Sequence, residues 1–197
     1  MVFFLVFRVV FLVYHRSAFS EFSIGQCLKS IWHGLYMDAS ITAYFCCVPV
    51  LAWLTKDLVA HKTWVRWLNR FHLILVLVVG LLLTVDLEIF QNWGHRLDSA
   101  ILPYLQFPKE ALASAGSSPF RILFTIFGLS FVVSSMFWAA FDFSVLKKSE
   151  EKNGVARWWS LAAIPVLILL MRGGLQLAPM NQSSVYFSNF RTLNQAA

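Results

Sequence analysis

The sequence predicts an all-α polytopic membrane protein, and three observations carry that prediction. Of 197 residues, 58% are hydrophobic and only 13% charged, against roughly 25% charged in an average soluble domain. The mean hydropathy is +0.66. The apolar residues also gather in runs close to the length a helix needs to cross a membrane, about 20 residues at 1.5 Å each.

Five such runs follow one another. Val2–Tyr14 is short for a span and carries Arg8 inside it. It is expected to be completed by Arg16–Phe19 or, preferably, by a further turn upstream. Gly34–Leu54 is the second run, with Asp38 near its start, and Phe71–Phe90 the third, with Asp86 and Glu88 near its end. Phe120–Val145 is the fourth, with Asp142 near its end, and Trp158–Met171 the fifth. Residues 1–172 are thus expected to form a five-helix transmembrane domain. Residues 173–197 turn polar and lose amphipathic period, which reads as a linker toward a further domain.

Lysine and arginine in short loops orient such a bundle, since cytoplasmic loops carry the excess. The loops after the second and fourth runs hold Lys56, Lys62, Arg66 and Arg70, and Lys147, Lys148, Lys152 and Arg157. Those after the first and third hold only Arg16 and Lys29, and Arg96 and Lys109. The amino end is therefore expected inside and the linker outside. Trp32, Trp53, Trp93, Trp158 and Trp159 fall near the proposed span ends, where amphipathic rings prefer the headgroup level. The net charge of +6 reports this topology rather than nucleic-acid binding.

Short interfacial helices are expected in two loops. Asp57–Asn69 mixes Leu58, Val59, Trp64, Val65, Trp67 and Leu68 with basic residues, a pattern suited to a helix lying on the membrane surface. Leu97–Tyr104 and Pro108–Ala115 read as caps on the outer face, with Pro108 at a first helical position and Glu110 in the first turn.

Ionisable groups within apolar runs are expensive, so each is a functional candidate. Arg8 and Asp38 approach similar depth, and an intramembrane ion pair between them is expected; its plainer role is to lock two helices together. Asp86, Glu88, Arg96 and Arg172 gather where the third and fifth runs leave the outer leaflet. That rim is a candidate lipid-headgroup site, since an arginine fork suits phosphate; the alternative is a solvated ring of helix-end charges. Asp142, beside Lys147 and Lys148, reads as a snorkelling interface charge. Cys27, Cys46 and Cys47 have no metal or redox spacing. Of the five histidines, no two share a helix at i, i+4 spacing. No phosphate loop, nucleophile elbow or zinc helix is present, so no catalytic residue, metal ligand or cofactor is assigned to this chain.

Two outer segments carry a family resemblance. The run Asp86–Asp98 (Asp-Leu-Glu-Ile-Phe-Gln-Asn-Trp-Gly-His-Arg-Leu-Asp) with Tyr104–Ser114 resembles the outer loop after the third span of bacterial lipoteichoic acid synthase-like proteins. Arg172–Gln176 through Asn181–Ser188 is similar to the stretch leaving their fifth span. His33–Asp38 resembles the start of their second span, with Tyr36-Met37 departing from the usual arginine-aromatic pair. The resemblance implies five helices feeding an extracytoplasmic domain of the alkaline phosphatase/sulfatase superfamily, with a metal-bound Thr or Ser nucleophile. None of those catalytic residues maps onto this sequence. The expectation is thus a membrane anchor in the bacterial inner membrane, in contact with lipids such as anionic phospholipid, whose covalently linked catalytic domain alone holds the divalent metal. Two other classes remain open: a small transporter subunit using Arg8, Asp38 and Asp86 as a polar path, and a non-catalytic scaffold.

Overall fold

In a computed structural model the described residues are 1–54, 61–98, 106–107, 109, 113, 116, 118–148, 154–173 and 186–197. Among them every regular element is a helix: α1 (Val2–Tyr14), α2 (Ile24–Leu54), α3 (His61–Trp93), α4 (Phe120–Lys148), α5 (Gly154–Arg172) and α6 (Arg191–Ala196). Among the described residues three helices are long and apolar enough to cross a membrane, Ile24–Ala52, Thr63–Trp93 and Phe120–Ala139. Val2–Tyr14 and Ala162–Arg172 are shorter apolar helices.

The membrane assignment gains a packing argument. Only 6% of the most apolar stretch of α4 is buried by the rest of the protein. Phe124, Leu129, Met136 and Phe137 are each at least 60% exposed. Apolar surface this continuous is rare on proteins dissolved in water, whereas lipid covers it at no penalty.

α2 begins ten residues ahead of the expected start at Gly34, because Ser23 starts the helix. The Ser23 hydroxyl accepts from the Gln26 N–H at 3.3 Å, and the Gln26 side-chain oxygen accepts from the Ser23 N–H at 2.9 Å. This reciprocal pair satisfies two backbone donors that a helix start otherwise leaves open. Pro49 and Pro165 sit inside α2 and α5, as membrane helices tolerate when neighbours satisfy the freed backbone groups. α3 ends at Gly94 and α5 at Gly173, both with positive φ (68° and 78°), the left-handed step that closes helices and that glycine takes without strain.

The expected surface helix at Asp57–Asn69 needs correcting. From His61 onward it is the first part of α3, one helix of 33 residues. No glycine or proline separates Asn69 from Phe71, so backbone hydrogen bonding runs straight through into the apolar stretch. At about 50 Å, α3 is longer than the roughly 30 Å hydrocarbon core of a bilayer. Residues 57–60 lie outside the described residues, as do most of the expected outer caps at Leu97–Tyr104 and Pro108–Ala115 and the stretch 174–185 of the expected linker.

α2 packs along α5 and α3 along α4, with α1 between them touching α2, α3 and α4. The Ser40 hydroxyl of α2 donates to the Met171 carbonyl of α5 at 2.7 Å. At the α3–α4 seam, Gly80 faces Phe127 and Phe3: an added Cβ would lie 3.3 Å and 3.4 Å from their rings. Further along, His72 stacks on Trp138 at 4.2 Å, and the Trp138 indole donates to Asn69 at 2.9 Å. Thr42, Thr84, Thr125 and Ser130 each return their hydroxyl to the carbonyl four residues earlier, which meets the demands of polar groups on apolar helices.

The expected linker ends in packed structure. Phe187 stacks on His33 at 4.7 Å, and Phe190 meets Phe22 at 5.3 Å. Leu193 and Ala196 of α6 are buried in one cluster with Phe11, Phe19, Leu87 and Phe90. A six-residue helix has no stability of its own, so these contacts with α1, α2 and α3 hold it.

Candidate functional site

The site forms between the middle of α1, the middle of α2 and the last turns of α3, where the segment 186–197 docks. Arg8 lies on the buried face of α1, with 8% of its surface exposed. Its Nε donates to Asp38 Oδ2 and its Nη2 to Asp38 Oδ1, both at 2.8 Å. Nη2 also donates to the Gly34 carbonyl at 2.9 Å. Nη1 donates to the Ala196 carbonyl at 2.9 Å and to the Ala197 main-chain oxygen. A guanidinium has five N–H groups, and these five contacts engage each nitrogen. A buried charge is tolerable only when paired and hydrogen-bonded in this way.

Gly34 makes the arrangement sterically open. A Cβ there would overlap the Arg8 guanidinium and the Ala197 oxygen. The sequence signal was present but unread: Gly34 stands one helical turn before Asp38, hence on the same face.

The second charged pair belongs to α3 and the turn after it. Arg96 Nε donates to Asp86 Oδ2 at 2.7 Å, and Nη2 lies 2.6 Å from the same oxygen. Asp86 Oδ1 accepts the Leu97 N–H at 2.6 Å. This short return of the chain after Gly94 brings Arg96 back over the helix that carries its partner. Arg96 Nη1 donates to the Gln195 carbonyl at 3.2 Å. Its guanidinium also sits 4.8 Å from the centre of the Phe11 ring, a cation–π contact.

Beneath the pairs lies an aromatic floor. Phe11 meets Phe90 at 4.8 Å and His15 at 4.7 Å, and His15 meets Phe90 at 4.7 Å. His15 follows α1 and is 1% exposed. Its Nδ1 pairs with Gln91 at 3.0 Å, while its Nε2 is buried without a hydrogen-bond partner among the described residues. Burial pushes the imidazole pKa down; the Gln91 contact and Asp86 push it up, and Arg96 adds to the lowering.

Both pairs line one cavity of about 360 Å³, with Phe4, Met37 and Ile41 on its apolar side. That volume lies within the ordinary range for small-molecule sites. Of the rim residues singled out from the sequence, Asp86 and Arg96 come together here, joined by Arg8 and Asp38. Glu88 and Arg172 do not line this cavity. Glu88 instead accepts from Asn92 at 3.0 Å and from the Tyr14 hydroxyl at 3.4 Å. Arg172 closes α5, beside the Met171 carbonyl that meets Ser40. Among the described residues no group of three or more His, Cys, Asp or Glu is placed to hold a metal ion. The three cysteines are free, Cys27 packing against the aromatic cluster.

The arrangement sets two arginine forks, each held by a carboxylate and reached by main-chain oxygens of 195–197, beside an apolar wall. No family model, curated protein or solved structure matches this chain.

Proposed function

We propose that this chain is the membrane anchor and lipid-headgroup-presenting domain of a lipoteichoic acid synthase-like protein of the bacterial cytoplasmic membrane. On this reading five helices cross the bilayer, α1 and α5 included, with the amino end inside. Residues 173–197 lie outside, leading to a covalently linked catalytic domain that transfers phosphoglycerol or cleaves a phosphate or sulfate ester and alone holds the divalent metal.

The observation that carries the reading is the convergence of two arginine–aspartate pairs on one cavity with an apolar wall. Arginine suits this task because its planar fork matches phosphate oxygens and stays charged. The carboxylates fix each fork in place, and the apolar wall suits the glycerol and acyl portion of a lipid. On this reading Glu88 and Arg172, which do not line the cavity, add charge at the headgroup level. The resemblance of Asp86–Asp98 and Arg172–Gln176 to the family's outer segments supplies the link to phosphoglycerol chemistry.

Native mass spectrometry in mixed lipids tests the binding step. The chain is expected to retain phosphatidylglycerol over zwitterionic phosphatidylcholine. Arg96→Ala combined with Arg172→Ala should lower that retention several-fold with the helical content unchanged. Equal retention of both lipids by the unaltered chain would overturn the proposal.

A further inference from the structure

We propose that the exposed face at the start of α3 binds an anionic phospholipid, with Arg66 and Arg70 on its phosphate and a stripe of leucines along its acyl chain. The inference rests on α3 crossing the bilayer and draws nothing from the cavity described above.

The rotation of α3 about its axis is fixed on its opposite face. Trp64 and Leu68 are each 6% exposed, and the Trp64 indole donates to the Ala52 carbonyl at 2.9 Å. Arg66 and Arg70 each follow two residues later, about 200° around the helix, and both are exposed. Arg8 and Arg96 direct their donors into the protein, whereas among the described residues Arg66 and Arg70 form no ion pair. The sequence holds no acidic residue between Asp57 and Asp86, so α3 supplies no countercharge of its own until its far end.

The charged face runs on into an apolar one. Arg66, Arg70, Leu73, Leu77 and Leu81 follow one another at steps of three or four residues, which keeps them on one side of the helix. Leu73, Leu77 and Leu81 are all exposed. From Arg70 to Leu81 the rise is about 16 Å, close to half of the roughly 30 Å hydrocarbon core, which is the depth of one leaflet's chains. Beside Arg70 the Trp67 ring stacks on Phe71 at 5.7 Å and stays 46% exposed, an aromatic shelf of the kind found at the headgroup level. A phosphodiester whose chain lies along the leucines therefore meets two guanidinium groups one helical turn apart. Their forks match its oxygens. Their uncompensated charge favours a lipid of net negative charge over a zwitterionic one, since basic side chains near a membrane surface attract anionic headgroups.

The test reads this face directly. The full chain is reconstituted in phosphatidylcholine vesicles with a trace of phosphatidylglycerol, or of phosphatidylcholine, carrying a diazirine in its acyl chain. After irradiation the labelled positions are mapped by proteolysis and mass spectrometry. Leu73 and Leu77 should be labelled about tenfold more by the phosphatidylglycerol probe than by the phosphatidylcholine probe. Arg66→Gln with Arg70→Gln should bring the two probes to equality. Arg66→Lys with Arg70→Lys, which keeps the charge, should hold most of the preference. Both arginines are exposed, so circular dichroism should show unchanged helix in either variant. Arg96→Ala should leave labelling at Leu73 and Leu77 as it was. Equal labelling by both probes in the unaltered chain, or a preference that survives the glutamine pair, would overturn the site. Loss of the preference in Arg96→Ala would also overturn it, by tracing the attraction to the cavity instead.

Discussion

Around Arg8 the helices are joined by directional contacts between charges, whereas along the seam of α3 and α4 they are joined by shape. At the first, a guanidinium that is 8% exposed meets a carboxylate, a glycine carbonyl and two further main-chain oxygens. At the second, Gly80 lets an aromatic edge approach and His72 stacks flat on Trp138. Lipid is as apolar as the side chains it surrounds, so apolar contact alone gives helices little reason to associate in one register. Close approach at small residues supplies packing, and paired charges supply register. The polar end therefore bears the specificity of the assembly, and the seam bears its closeness.

The largest expected effect comes from breaking the polar end. Arg8→Leu strands Asp38, which is 3% exposed, and leaving one partner of a buried pair uncompensated costs about 3 kcal/mol or more. Melting in detergent should fall sharply for Arg8→Leu and for Asp38→Leu. The double change should recover much of the loss, since it removes both charges. Additive losses would show that the pair does not couple the two helices.

A smaller effect is expected at the seam. Gly80→Leu places a branched side chain where even a Cβ stands 3.3 Å from Phe127. Overpacking of this kind costs about 2 kcal/mol, read as a lower melting temperature. It should leave phosphatidylglycerol retention unchanged, because the seam contributes no donor to the cavity. A loss of retention in this variant would break the division between the two regions.

The smallest effect sharpens the boundary of the polar end. Burial lowers the pKa of His15 below its ordinary value of 6.5, so the unfolded chain takes up this proton first. Stability linked to His15 is then present above pH 6.5 and is lost as pH falls from there toward the lowered native value. Melting temperature at pH 5.5 should lie below that at pH 7.5, and His15→Phe should shrink the difference. An unchanged pH dependence in His15→Phe would place its origin in another group.

Much of the architecture was legible because it follows from local composition. Apolar length alone marks out α2, α3 and α4, and the Ser23–Gln26 pair that starts α2 is itself a short sequence pattern. The start of α3 was harder: His61–Asn69 is amphipathic, and such a stretch suits a surface helix or the first turns of a longer one. Continuity with Phe71 decides between them. Within the site, the need of Arg8, Asp38 and Asp86 for company is readable, since apolar surroundings solvate charge poorly. The nature of the company is less so. Main-chain oxygens at 195–197 carry no residue-type signal, and Gly34 looks like any helical glycine until an arginine is laid across it.

The sequence by itself determined that this is a helical membrane chain with charges set into its apolar runs, because hydropathy and residue type act over a few turns of one helix. Only the tertiary structure decided that Arg8 and Arg96 share one cavity and that the polar final stretch returns to occupy it. Those facts depend on contacts spanning up to 189 positions in the chain, where main-chain atoms common to every residue make the bonds and no local pattern records them.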